Sequence, residues 1–346
     1  MAETEPAASQ GNGREPELTY TRYLRIPELL ALQVPSAARV HDERLFITVH
    51  QVQELWFAQL LSELADARDL MFRGAARAAR ARLARCLAVD RTLVTGLQLL
   101  RTMPPRAFHA FRGHLGTASG AQSAQFREIE ALSGADWARS GRVPEGLGAA
   151  ERERLRRRQE EPSLWDGFLF LLRRAGFDVT TGEARGAALA RLAAAVADVT
   201  DAADLADAAG LPEVADAAGL AEMAGVAGLA APGEPAAGDR AAPGNRTGLP
   251  DARDAGGPGG PREPAELGEL AEALLEHDAV WAEWRAAHVL LVERQIGGLP
   301  GTGGSSGVSH LRGAMHRRFY PELWEVAGGR APAAAVSGGR GRPGLP

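Results

Sequence analysis

The sequence predicts an all-α protein, a helical bundle with no significant sheet. Apolar residues recur at helical spacing almost without a break over 18–194 and again over 266–296. Threonine-rich or β-branched runs with two-residue alternation, the mark of a half-buried strand, are scarce. The long break between the two helical regions is compositional: 198–264 shifts to Ala, Gly, Asp and Pro and carries no large aromatic anchor.

The elements follow in order. Residues 1–15 lack apolar periodicity and read as a disordered tail. Residues 16–197 form the first part of a helical domain. The stretch 198–264 reads as an Ala/Gly/Pro-rich insertion, largely disordered. Its ADAAGL motif occurs at 206–211 and at 215–220. Two copies make low complexity and no solenoid. Its first half suits short Ala-rich helices; its second half, with PGEP and GGPGGPREP, stays irregular. Residues 265–327 resume the domain with a long helix, a Gly/Ser loop at 297–307 and a short helix around 308–317. The Gly/Pro/Arg-rich end, 328–346, reads as a flexible tail. About 250 packed residues are ample for a core.

Composition excludes several classes. The 346 residues carry a net charge of -5, from 39 basic residues, all arginine, and 44 acidic ones. A mildly acidic chain does not coat nucleic acid, because neutralising phosphates needs a basic surface. One cysteine, Cys86, excludes an internal disulfide framework and any CxxC site. On a helix stripe it reads as a small buried apolar residue. No apolar run reaches the roughly 18 residues of a membrane span. The polar first 17 residues lack the apolar core of a signal peptide. The expectation is a soluble, cytoplasmic protein with no nucleic-acid or membrane partner.

Three segments concentrate chemistry. In HDERLFITVHQVQELWFAQLLSEL, 41–64, Leu45, Val49, Val52, Trp56, Leu60 and Leu64 form one stripe. Phe46, His50, Phe57 and Leu61 fall on the adjoining face. His50 is then either a core histidine bonded to a backbone carbonyl or a neutral imidazole turned to a buried ligand. In FHAFRGHLGTASGAQSAQFREIE, 108–130, Phe108 and Arg112 share a helical face. Arg112 is either a solvated surface arginine or a bidentate clamp for a carboxylate. The GTASGAQS run after it breaks the helix and leaves backbone N–H groups free. In WAEWRAAHVLLVERQIGGLPGTGGSSGVSHLR, 281–312, Trp281, Trp284, His288, Leu291 and Gln295 share one face. An imidazole among large apolar groups is plain core or the ligand of a haem iron. The GTGGSSG loop lacks the Lys-Ser/Thr ending of a nucleotide-binding P-loop. It is either a flexible linker or a loop that folds over a ligand, offering N–H groups and Thr302.

Together these segments resemble the tryptophan 2,3-dioxygenase family. The likeness covers LTYTRYL (18–24), HDERLFITVHQVQELWF (41–57), FRGHLGTASGAQSAQFREIE (111–130), EEPSLWDGFLFLLRRAGF (160–177), WRAAHVLLVERQIG (284–297), GTGGSSGVSHLR (301–312) and FYPELW (319–324), in family order. The resemblance implies a haem b iron held by His288, with Trp284 beside it. It implies His50 as the distal histidine facing the substrate indole N–H, with Phe46 and Phe108 lining the indole pocket. Arg112 then matches the carboxylate anchor, and Thr302 the residue that meets the amino-acid head group through the closing loop. Tyr20 and Tyr23 match N-terminal tyrosines lent to a neighbouring subunit's site, which implies a homotetramer.

The implied reaction is L-tryptophan plus O2 to N-formyl-L-kynurenine, by cleavage of the indole C2–C3 bond. It needs no strong base, so His50 is cast as a hydrogen-bond orienter. One departure stands out: Ala121 replaces the Phe usual in the family's SGFQS, which would widen or reshape the pocket. This motivates an alternative in which a substituted tryptophan gains one oxygen and becomes an oxindole. A non-catalytic haem sensor is the third reading, and it would leave His50 and Arg112 without a role.

Overall fold

The computed structural model describes residues 18–37, 40–139, 141, 143–144, 146–208 and 264–328; side chains within 197–208 are not described. The expected tails and most of the expected insertion therefore lie outside the described residues. Among the described residues every regular element is helical, so the fold is all-α.

Two short helices, α1 (Tyr20–Tyr23) and α2 (Ile26–Leu30), form an N-terminal arm. The arm leads into α3 (His41–Phe72), a helix of 32 residues. A three-residue turn joins α3 to α4 (Ala76–Arg101), and so short a connection makes the two antiparallel neighbours. Then come α5 (Pro105–Arg112), two 3-10 turns at Gly113–Leu115 and Gly120–Gln122, α6 (Ala124–Ser133), α7 (Asp136–Arg139), α8 (Ala149–Glu160), α9 (Leu164–Arg174) and α10 (Gly182–Ala208). The chain is described again from α11 (Pro264–Ile296), followed by α12 (Val308–Ala314) and α13 (Pro321–Ala327). Helix α10 continues past 197, the expected end of the first helical part.

The boundaries follow from local chemistry. Ser163 and Asp166 cap α9 reciprocally: the Asp166 N–H donates to Ser163 Oγ at 3.2 Å and the Ser163 N–H donates to Asp166 Oδ2 at 2.8 Å. Pro105, Pro27 and Pro321 stand in the first turns of their helices, where the missing N–H costs nothing.

Helices α3, α4 and α11 form the centre, with α9 and α6 against α3 and with α10 against α11. The main core joins Leu60, Leu64, Met71, Leu83, Ile129, Leu164, Phe168, Leu270, Leu274 and Trp281. Cys86 is fully buried in it, as expected, and burial pushes its thiol up. A Cβ at Gly268 would meet Val196 Cγ2 at 2.3 Å and the Leu192 carbonyl oxygen at 3.0 Å. Only glycine lets α11 approach α10 this closely. At the other end of the bundle the Asp278 Oδ2 accepts from the Phe319 N–H (2.7 Å), the Tyr320 N–H (3.1 Å) and Trp324 Nε1 (2.9 Å). One buried carboxylate thereby pins the start of α13 to α11.

The predicted stripe on α3 is half right. Val49, Leu60 and Leu64 are buried, with Phe57 and Leu61 from the adjoining face. Val52 and Trp56 are instead 44% and 37% exposed, beside Leu55 at 57%. No helix among the described residues is long and apolar enough to cross a membrane.

Candidate functional site

The site lies where α3, α5 and α11 meet over a small second core of Val49, Leu97, Leu100 and Leu291. Phe46 and Trp284 pack against that core, each from its own helix. The site therefore stands on rigid elements and only its rim is loop.

On α3, one turn separates Phe46 from His50. The His50 Nδ1 lies 2.7 Å from the Phe46 carbonyl oxygen. A carbonyl only accepts, so Nδ1 carries the proton and the neutral ring offers its Nε2 lone pair away from the backbone. The backbone bond of the first alternative exists, but the residue is exposed and no core histidine. The Phe46 ring covers it at a centroid distance of 4.1 Å. Phe46 also meets Phe108 at 5.8 Å and Phe111 at 5.4 Å. The sequence reasoning missed Phe111, which is fully buried behind Phe108 in a T-shaped contact at 5.4 Å. Its place three residues after Phe108 on α5 was the available signal.

On α11, Trp281, Trp284 and His288 follow one another along one face. Trp284 stacks on His288 at 5.0 Å and 28°. Behind it lie Phe126 at 5.3 Å and Trp281 at 5.8 Å. Burial lowers the His288 pKa to about 4, and the neighbouring His50 adds to the shift. Burial also lowers His50, only partly offset by the Phe46 carbonyl and Glu54. Phe46 beside His50 and Trp284 beside His288 pack on the same small core, which brings the two imidazoles to one region of the fold.

The rim is built by two loops that hold each other. The Arg112 Nη2 donates to the Pro300 carbonyl at 2.5 Å, and the Thr302 hydroxyl donates to the Ala118 carbonyl at 2.5 Å. Arg112 is thus half-buried on the rim, with one carbonyl partner on the facing loop. Gly303 lies so close that a Cβ there would be 2.7 Å from Ser119 Cβ. Gly307 has φ +63°, and a Cβ would be 2.4 Å from the Leu299 carbonyl oxygen. Within the 297–307 loop the Gly301 N–H donates to the Ser305 carbonyl and the Gly304 N–H to the Gly301 carbonyl. Those two N–H groups are used inside the loop. An open cleft of about 320 Å³ remains, lined by His109, Arg112, Gly113, Gly116 and Thr302. Ala121 sits exposed on the 3-10 turn at 120–122.

Tyr20 and Tyr23 are not brought to this group of residues by any ring contact among the described residues. They stand on the arm, 76% and 70% exposed.

The donor set is compatible with a metalloporphyrin. Among the described residues no three His, Cys, Asp or Glu side chains cluster to hold a bare ion. His288 supplies one neutral nitrogen, which suits a metal that brings its other in-plane ligands with it. The wall beside it is aromatic, and the indole N–H of Trp284 is buried without a partner, a donor available to a polar edge of such a group.

Comparison with known proteins gives the family. The family model for tryptophan 2,3-dioxygenase matches residues 5–191 and 261–328, breaking off across the low-complexity stretch. The chain is 40% identical over 314 residues to a tryptophan 2,3-dioxygenase of Nocardioides sp., covering 89% of this chain and 93% of that one. It is 35% identical to that of Herpetosiphon aurantiacus, covering 89% and 97%. The Caulobacter vibrioides enzyme of the same name is 34% identical, covering 90% and 97%. Every helix that builds the site falls inside the matched residues, and the chain belongs to the tryptophan 2,3-dioxygenase family.

Proposed function

We propose that this chain binds haem b through His288 and converts L-tryptophan and O2 to N-formyl-L-kynurenine. Family membership makes it a haem-dependent dioxygenase acting on tryptophan. The ligand, the cofactor type and the residue roles are our reading. One observation carries it: His50 on α3 and His288 on α11 each lie against an aromatic ring, Phe46 and Trp284, and both rings pack on the same small core.

When bound, the iron porphyrin supplies the site at which dioxygen is activated. The chain does the rest by positioning and by excluding water. Phe46 and Phe108, backed by the buried Phe111, receive the indole, whose burial contributes roughly 2–3 kcal/mol. The His50 Nε2 accepts from the indole N–H, a role its fixed Nδ1 proton permits. Arg112 has donors left after serving Pro300, and it holds the substrate carboxylate at about 1.5–3 kcal/mol. Thr302 holds the head group from the closing loop. The pocket thereby favours a free amino acid over bare indole. No observation favours a reaction that stops after one oxygen atom.

The exposed arm belongs to the same proposal. Leu18, Tyr20, Tyr23, Leu30, Leu32 and Val34 are 61–76% exposed on one short segment, and so large an apolar patch marks an interaction surface. In our reading it lies on a second copy in a homotetramer, with Tyr20 and Tyr23 completing the neighbour's site. A cytoplasmic setting is part of the same reading, on the expectation from cysteine usage.

The test is direct. Protein loaded with hemin and reduced is mixed with L-tryptophan in air, and N-formylkynurenine absorbance is followed. Product with a mass gain of two oxygen atoms supports the proposal. A loaded protein that yields none, or a gain of one oxygen, overturns it.

A further inference from the structure

A second set of polar groups lies between α4, α6 and α11, one turn and more below the site. Asp90, on α4, is buried at 2% exposure, and both its oxygens are taken by α11. Oδ2 accepts from His277 Nδ1 at 2.7 Å and Oδ1 accepts from Trp281 Nε1 at 3.0 Å. His277 and Trp281 are four residues apart, so one carboxylate bridges successive turns of the same face. The other His277 nitrogen, Nε2, lies 3.3 Å from Ser133 Oγ on α6. Ser133 and His277 are fully buried.

This Ser–His–Asp chain has no route to a substrate, which excludes a hydrolytic role. Its geometry has another consequence. A helix held in an apolar groove by side-chain packing alone can rotate or slide slightly. Two hydrogen bonds to one buried carboxylate remove that freedom, because a slip would leave a buried charge with broken partners. The fixed ring is Trp281, which meets Trp284 at 5.8 Å and 42°. Trp284 in turn stacks on His288. Trp281 also packs against Phe57 at 6.2 Å, Phe126 at 5.3 Å and Phe319 at 6.0 Å, so its position is shared by the wall of the site.

We propose that Asp90 is a positioning residue for His288, setting the rotation of α11 and the ring plane of the proximal imidazole through Trp281 and Trp284. The inference rests on His288 being the haem ligand, as proposed above. Asp90 touches neither haem nor substrate and is no catalytic residue.

Two variants test it in the hemin-loaded full chain. Asp90→Asn keeps the shape and weakens both bonds. Trp281→Phe keeps a ring and removes only the donor to Oδ1. The readouts are the iron–histidine stretching band of the ferrous protein by resonance Raman, and the rate of hemin transfer to excess apomyoglobin. Outer-shell partners of a metal ligand are typically worth 10–100-fold in metal affinity. For this longer chain of contacts we expect transfer faster by about 3–10-fold, with a shifted or broadened band. If Asp90→Asn does not fold, Trp281→Phe alone decides. Variants that melt earlier, yet transfer hemin within twofold of wild type with an unmoved band, give Asp90 a merely structural role and overturn the proposal. Failure of the reading beneath it looks different: the wild-type chain itself would then take up no hemin, or would give no iron–histidine band.

Discussion

Trp284 lies against His288 with ring centroids 5.0 Å apart and planes 28° from parallel. A stacked neighbour limits imidazole rotation and, with His288 as the proposed haem ligand, would shield its nitrogen from water. His288→Ala is therefore expected to abolish the Soret band after hemin loading. Trp284→Ala is expected to keep the band but weaken retention by on the order of tenfold. Titration with hemin and competition with apomyoglobin measure both. Retention of bound hemin by His288→Ala, with loss in Trp284→Ala, would mean that the imidazole is not the ligand.

Arg112 separates substrate binding from haem binding. Its guanidinium bridges to the Pro300 carbonyl across the rim, on the loop side of the site. Arg112→Ala is expected to raise KM for tryptophan by about 10–100-fold, the equivalent of a 1.5–3 kcal/mol charge-assisted contact. Hemin content stays within error of wild type. Steady-state kinetics beside a haem assay read the two separately, and a parallel fall in both contradicts the anchor role.

How much of this was legible in sequence depends on the range of the contact. His50 and His288 stood out because helical periodicity places each beside aromatics on its own helix. The exposure of Val52 and Trp56 was not legible, since an apolar stripe looks the same whether it faces a core or another surface. Arg112 finds its carbonyl partner 188 residues away, and Asp90 finds Trp281 191 residues away. No local pattern reports such pairings. A carboxylate within the buried run of Cys86, Val89 and Leu93 was still a visible irregularity. Ionised groups inside a core demand partners.

The histidines give the apoprotein a pH dependence with a definite sign. Burial depresses the His288 pKa from 6.5 to about 4. On acidification the unfolded chain therefore takes up the proton first. Stability from this group is complete above pH 6.5 and is lost as pH falls from 6.5 toward about 4. His50 shifts in the same direction. Urea midpoints of the apoprotein are expected to drop across that window, and His288→Gln is expected to flatten part of the drop. Parallel profiles for variant and wild type would place the titration elsewhere.

The arm gives the last prediction. Glu43, buried where the arm joins α3, accepts from the Ser36 N–H at 2.9 Å, the Ser36 hydroxyl at 2.5 Å and the Ala37 N–H at 2.7 Å. Gln51 adds a bond to the Leu32 carbonyl at 3.1 Å. The root of the arm is thus tied down, while Tyr20 and Tyr23 at its far end are exposed among the described residues. Replacing either tyrosine with alanine should leave helicity and the melting temperature of the isolated protomer unchanged, because exposed side chains contribute within about 0.5 kcal/mol. Turnover should fall if, as proposed, the lost ring completes the neighbour's pocket. Mixing Tyr20→Ala chains with chains lacking His288 then discriminates: if the pocket is completed across an interface, mixed assemblies recover activity, because an intact arm meets an intact haem site. No recovery in assemblies shown by native mass spectrometry to be mixed would return Tyr20 to its own protomer.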